Sequence, residues 1–322
     1  RDVHAVLATF LAATGAVVLV ALYEFAVGRN VFYEIFEVDS AYLEQVLRDK
    51  LRAGAYRLQS TFSHPLVLSE FLVLMVPVAF YMAFVDGFRW LRSIALLLLV
   101  ALATFVIIRT ASRSGMGGFA VVLALTVGIG FTRLLLRSRD AVRGGLYVLG
   151  ILATVMGTVA ALFLMQEILA GRTAGERSSA FVRLLMWEHG LQKAWEHPIL
   201  GWGQDLAAQV LGFIGNQGVL TIDSYYLSVL LDAGYPGLAL YVVAMLAGIG
   251  VLLFHGLSNR HSNLLAALMV SGLVSFALIK LVLSLNHNHG LVMVLLAVTL
   301  SSIDLARRAA QPEHEKRAPL TR

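Results

Sequence analysis

The sequence predicts an all-α integral membrane protein, and three observations carry that reading. Of its 322 residues, 58% are hydrophobic and only 14% charged, with a mean hydropathy of +0.78. A soluble domain runs nearer ~45–50% apolar and ~25% charged. Eight apolar runs, at 4–26, 66–86, 94–109, 114–133, 144–166, 236–255, 263–283 and 290–306, have lengths near the ~20 residues a helix needs to cross a bilayer. Such runs are helices and not strands, because lipid offers an exposed strand edge no hydrogen-bonding partner. Cysteine is absent, which excludes disulfide frameworks, thiolate metal sites and cysteine nucleophiles. The net charge of +5 and pI near 9.6 first report orientation in a membrane chain, and nucleic acid is not expected as a partner.

Taken in order, the connections alternate. The loops at 86–93 (Arg89, Arg92), 133–143 (Arg133, Arg137, Arg139, Arg143) and 256–262 (Arg260), with the tail (Arg307, Arg308, Lys316, Arg317, Arg322), fall on one side. Their cations make that side the cytoplasm. The opposite side receives 27–65, 109–114, 167–235 and 284–289. Long translocated loops escape the charge bias, but two arginines in the short 109–114 turn, Arg109 and Arg113, are unfavourable there and invite a functional explanation. Segment 31–60 has a mixed pattern that suits the membrane surface. Segment 179–197 repeats Phe181, Leu184, Leu185, Leu191 and Trp195 at helical spacing, with Arg183, Trp187 and Gly190 on another face. The organisation expected is one polytopic membrane domain over 1–310, with an extracytoplasmic loop near 167–235 and a disordered cytoplasmic tail at 311–322.

Candidate chemistry gathers on the extracytoplasmic side. Arg57-Leu-Gln-Ser-Thr-Phe-Ser-His64-Pro65 directly precedes a span, and Pro65 suits the first turn of a helix. His64 then stands at a helix N-terminus as a cap or as a functional group. Arg109-Thr-Ala-Ser-Arg113-Ser-Gly joins two spans, and a guanidinium fork matches phosphate oxygens. Asp223 precedes a helical Tyr-Tyr-Leu-Ser run, which makes it either an N-cap or a proton acceptor. Lys280 is expected to snorkel near Asn286-His287-Asn288-His289, a solvated turn with no third metal ligand nearby; Glu24 and Glu70 have no assigned partner. There is no phosphate-binding glycine loop and no Asp-x-Asp pair for a metal-bound sugar nucleotide. Any chemistry must therefore draw on a substrate that is already activated.

The series Phe62-Ser-His64-Pro65, Ser112-Arg113-Ser-Gly115, Arg183…Trp187…His197-Pro198-Ile-Leu-Gly201-Trp-Gly203 and Asp223-Ser-Tyr-Tyr226-Leu227…Gly234-Tyr-Pro-Gly237 resembles the O-antigen ligase/polymerase superfamily over about 55–240. The resemblance implies a GT-C-like helical membrane enzyme of the bacterial inner membrane, with an extracytoplasmic cavity for undecaprenyl-pyrophosphate-linked glycans. It also implies that helices precede Arg1, as does the absence of an initial Met. Carried over, Arg113 and Arg183 match arginines that hold the lipid pyrophosphate; Arg57 and His64 fit the His-Pro motif; Arg109 joins the phosphate-binding group. Asp223 stands where ligases carry a histidine, which tilts the reading from ligase toward polymerase of O-antigen, capsule or exopolysaccharide repeat units. The chemistry implied is inverting and metal-independent, without a cofactor. Arginines stabilise the diphosphate leaving group, and Asp223 or His64 takes the proton of the acceptor hydroxyl. A chain-length regulator is an expected partner besides membrane lipid. The alternatives are a ligase acting on lipid A-core and a lipid-linked-sugar transporter or flippase that uses Glu24, Glu70 and Lys280. The enzymatic reading requires Arg113 and Arg183 to share one outward-facing hollow.

Overall fold

The structure, a computed structural model, describes residues 2–35, 50–52, 54–85, 89–137, 174–214, 219–257 and 263–310. The predicted span at 144–166 and the tail at 311–322 lie outside these residues. The other seven apolar runs are all helical: α1 (Asp2–Val27), α3 (Pro65–Phe84), α4 (Trp90–Arg109), α5 (Arg113–Arg137), α8 (Tyr225–Leu257), α9 (Leu264–Lys280) and α10 (His289–Ala310). Six of them are long and apolar enough to cross a membrane, while α9, at 17 residues, is shorter. The protein is an all-α polytopic membrane protein. Between the spans lie a short α2 (Phe32–Ile35), a two-stranded hairpin of β1 (Leu51–Arg52) and β2 (Ala55–Tyr56), α6 (Ala174–Glu196) and α7 (Ala207–Leu211).

The centre of the bundle is the pair α3 and α9. Nearly every residue of each is buried; α3 packs on α1, α4, α5 and α9, and α9 packs on α3, α5, α8 and α10. In lipid, helices associate through close packing and interhelical hydrogen bonds, since lipid tails are as apolar as the side chains. The contact of α5 with α9 shows the rule. A Cβ on Gly118 would come within 2.7 Å of Ser275 Oγ, and that hydroxyl instead donates to Gly118 O at 2.9 Å. Two turns farther along, Thr126 and Ser271 hydroxyls meet at 3.2 Å.

The 33 residues of α8 would make a rod of about 50 Å if unbroken. The helix breaks at Gly234, whose backbone (φ 71, ψ −174) is closed to most L residues, with Pro236 just beyond. The predicted span 236–255 is the part after this break; residues 225–233 form a separate short helix. That piece, with α6 and α7, builds a second core from Met186, Ala194, Ala207, Leu211, Ile222, Leu227, Leu230 and Leu231.

Hydrogen bonds define two ends of the bundle. At one, Arg133 Nη1 donates to Gly256 O and Asn263 O, both at 3.2 Å, and Arg307 meets His255 at 2.9 Å. At the other, the 110–112 turn, the start of α3, the 281–288 turn and the start of α8 come together, as detailed below. This second end gathers the sequence-predicted site residues.

Candidate functional site

Local chemistry explains the start of α3. His64 has extended backbone (φ −154, ψ 141), Pro65 occupies the first helical position, and the Leu66 N–H donates to His64 Nδ1 at 3.2 Å. Nδ1 must then be the unprotonated nitrogen, so the neutral ring carries its proton on Nε2. Burial, reinforced by Arg57, Lys50 and His287, pushes the His64 pKa down to about 4. The ring is therefore a neutral cap with an N–H to donate. Its basic lone pair is committed to the backbone, which is the cap reading of the two that the sequence leaves open.

The 110–112 turn is built around the same point. Thr110 Oγ1 donates to Ile107 O at 2.6 Å and accepts from Ser112 N at 3.2 Å, Ser112 Oγ caps α5 by accepting from Gly115 N at 3.0 Å, and Ala111 is held in left-handed backbone (φ 49). That conformation costs about 1 kcal/mol for a non-glycine residue. Arg57 Nε donates to Thr110 O at 2.7 Å, and Leu58 N donates to Arg109 O at 3.3 Å. Arg109 lies over the Phe25 ring at 4.7 Å. Two arginines expected to bind diphosphate thus brace the loop and the turn. Arg113 heads α5, half-buried, at the positive end of a helix dipole. A cation gains nothing there, but an anion gains from both charges.

Beyond the break in α8, the site is made by α6. Arg183 Nε donates to Asp223 Oδ2 at 3.0 Å, and both side chains are over a third exposed. The helix cap at this point is the neighbour of Asp223. Ser224 caps α8, its Oγ accepting from Leu227 N at 3.4 Å and its carbonyl from Ser228 N at 3.0 Å. Asp223 is one residue outside the helix, and among the described residues its Oδ1 accepts no hydrogen bond. The Arg183 Nη groups likewise have no partner among the described residues.

The remaining motifs hold this pair in place. Trp202 N donates to Leu231 O at 2.7 Å, Gly203 N to Asp232 O at 3.1 Å and Tyr235 N to Pro198 O at 2.9 Å. Asp232 Oδ1 accepts from Leu206 N and Ala207 N at 3.1 and 2.8 Å, and Trp202 Nε1 donates to Lys193 O at 3.1 Å. The His197–Gly203 and Asp232–Gly237 motifs are two halves of one joint. A Cβ at Gly201 would come within 2.5 Å of the Asp232 carbonyl group, so the joint closes only around glycine. Its effect is to fix α6, and hence Arg183, against the start of α8.

Glu24, Glu70 and Lys280 all have partners among the described residues, which corrects two expectations. Lys280 does not snorkel; it is fully buried, 2.8 Å from Glu70 Oε1, and it also donates to Leu285 O. Asn288 Nδ2 donates to Glu70 Oε2 at 2.8 Å and to Val67 O at 3.0 Å. The 286–289 turn is likewise not simply solvated, since His289 Nε2 meets Tyr241 OH at 3.1 Å. Glu24 accepts from Tyr56 OH, from Gln59 N at 3.1 Å and from Ser60 N at 2.6 Å, which fastens the 56–60 loop to α1. These contacts give Glu24, Glu70 and Lys280, on which the transporter alternative draws, partners within the fold.

Arg113 and Asp223 belong to the same end of the bundle. Tyr226 OH donates to Ala277 O at 3.0 Å in the last turn of α9, and that turn's Ile279 lies against Gly118 of α5. Sequence reasoning missed Ser224, Glu70 and Asn288 as partners. The Asp-Ser pair before a helical run was a signal for the first; nothing local marks the other two. The best-formed enclosed spaces among the described residues are small apolar crevices inside the bundle, one lined by Leu74, Leu252, Met269, Leu273, Val292, Leu295 and Leu296.

A family model described as O-antigen ligase matches residues 97–242, from within α4 to just past the break in α8. The matched segment contains Arg109, Arg113, Arg183 and Asp223; Arg57, His64 and Lys280 lie outside it. No curated protein and no solved structure matches the chain. Through residues 97–242, which also bear the Arg183–Asp223 pair, this helical membrane protein is similar to the O-antigen ligase family.

Proposed function

We propose that the protein polymerises undecaprenyl-pyrophosphate-linked oligosaccharide repeat units on the outer face of the bacterial inner membrane. The observation that supports this most is the Arg183–Asp223 pair, with Asp223 released from capping by Ser224. The similarity of residues 97–242 to the O-antigen ligase family supports glycan transfer in general. The orientation follows from the arginines at the opposite end, Arg89, Arg92, Arg133, Arg307 and Arg308, which favour the cytoplasm.

The chemistry proposed is a single inverting displacement. The acceptor hydroxyl oxygen bonds to the anomeric carbon of the donor sugar as the bond from that carbon to the phosphate oxygen breaks. The electron pair leaves with undecaprenyl pyrophosphate, and the hydroxyl proton passes to the open Asp223 Oδ1. Arg183 keeps Nε on Asp223 and turns its Nη groups to the diphosphate, while Arg113 at the head of α5 adds a second cation. Charge-assisted bonds of this kind are about twice as strong as neutral ones, and they strengthen as charge develops on the leaving group. His64 donates from Nε2, and Arg57 and Arg109 hold the 56–60 loop and the 110–112 turn in place. In this scheme the guanidinium groups carry the charge-neutralising role that a metal ion plays elsewhere.

The ligase reading is favoured by the similarity of residues 97–242 to a family described as O-antigen ligase. Product analysis separates the two. A ladder of repeat units from purified protein and lipid-linked repeat unit alone supports polymerisation. Transfer only when lipid A-core is supplied establishes ligation.

A further inference from the structure

Helix α6 has two unlike faces. Met186, Gly190 and Ala194 pack inward on the second core, with Leu227 meeting Gly190. On another flank, at helical spacing, Phe181, Leu184, Leu191 and Trp195 stand 60%, 65%, 42% and 72% exposed. Gln192, Glu196 and His189 share the adjoining flank with Leu185, and Glu188 lies within the apolar arc between Trp195 and Phe181. A helix with one face packed on protein, one apolar flank and one polar flank has a place where it is stable: the boundary between lipid headgroups and acyl chains.

The structure also indicates what covers the apolar flank. Trp195 contacts Tyr235, ring centroids 5.5 Å apart, and Tyr235 opens the membrane-crossing part of α8. That part presents Leu240, Val243 and Leu246 to its surroundings, all more than 60% exposed. The flank of α6 is therefore continuous with the lipid-facing surface of the bundle, joined to it by a Trp–Tyr pair of the kind that sits at membrane interfaces. Just past α6, Ile199 and Leu200 are 69% and 83% exposed and extend the same apolar surface. A soluble protein partner would need to bridge the rim of the bundle to cover it; lipid is already there.

We infer that α6 lies in the membrane interface with Phe181, Leu184, Leu191 and Trp195 immersed about 5–10 Å into the headgroup–acyl boundary. Arg183, on the same helix, is thereby held at the depth of lipid phosphates, where the diphosphate of a lipid-linked donor sits. The choice of leaflet rests on the proposed function; the immersion does not.

The chain has no cysteine, so single cysteines report without background. L184C, L191C, Q192C and E196C variants of the full chain, each carrying a nitroxide, are placed in vesicles of phosphatidylethanolamine and phosphatidylglycerol. Collision rates with oxygen, which partitions into lipid, and with a water-soluble nickel chelate are then measured. The expected result is an oxygen-dominated ratio at 184 and 191 and a chelate-dominated ratio at 192 and 196. Chelate dominance at all four positions overturns the inference. So does protection of 184 and 191 from both probes, which indicates a covering protein or a second copy. Glycan ladder formation by the same samples is scored separately. A ladder with water-exposed 184 and 191 overturns the docking alone; immersion without any glycan transfer overturns the functional reading alone.

Discussion

Two ion pairs stand at the same end of this bundle and do opposite work. Lys280 and Glu70 are 0% and 1% exposed, with Asn288 and Leu285 O completing their hydrogen bonds. Arg183 and Asp223 are 39% and 35% exposed, with the Nη groups and Oδ1 unengaged among the described residues. The first pair is closed: no polar atom is left over for a substrate, and its value is to clasp α3, α9 and the 281–288 turn. The second is open, and its value is what it can still bind. Burial and residual bonding capacity, not the presence of a charge near a membrane, separate structural from chemical cations here.

The largest effect that tests this contrast is on stability. Lys280→Met strands the Glu70 carboxylate, and breaking one side of a buried pair costs about 3–5 kcal/mol. The expected outcome is little folded protein after detergent extraction, measured by size-exclusion chromatography and thermal unfolding. The double variant K280M/E70M should recover much of the loss. Wild-type stability in K280M alone would mean that the clasp carries no weight.

Arg183→Ala should reverse the pattern. An exposed pair contributes about 0–1 kcal/mol, so the melting temperature should barely move. Removing a group that stabilises the leaving charge should lower glycan transfer about 10²–10³-fold. Chain-growth rate and thermal unfolding on the same preparation check both halves of this statement.

Ser224→Ala removes a helix cap and should cost about 1 kcal/mol with modest loss of transfer. If S224A abolished transfer while D223N did not, the assignment of cap and base to these neighbours would be inverted.

The smallest effect concerns pH. His64 titrates near 4 in the folded chain against an ordinary 6.5. Below 6.5 the unfolded chain therefore binds protons that the folded one refuses. The stability contribution is complete above 6.5 and is lost as pH falls toward 4. His64→Asn keeps a cap acceptor for Leu66 N–H and should flatten this acid limb in a stability-versus-pH series.

The spans were legible in the sequence because lipid enforces apolarity over whole helices, and so was the grouping of Arg57, His64, Arg109, Arg113 and Asp223 toward one end, because alternation of spans follows from their number. Pairings were not legible. Glu70 and Lys280 are far apart in the chain, and no periodicity connects a carboxylate on α3 to an ammonium on α9. The tautomer at position 64 was not legible, because it depends on a backbone N–H two residues away. The break of α8 was half visible in Gly234-Tyr-Pro236, but the docking of His197–Gly203 into it depends on tertiary contact. The helical flank of 181–195 was visible as a pattern; which side faces protein required the fold.

The central claim is that the open pair performs the transfer. Purified full-length protein in lipid nanodiscs, given undecaprenyl-pyrophosphate-linked repeat unit, tests it through D223N assayed beside wild type at matched melting temperature. The account predicts a ladder of products from wild type and loss of the ladder from D223N with its fold intact. A well-folded D223N that elongates glycan at the wild-type rate would contradict it.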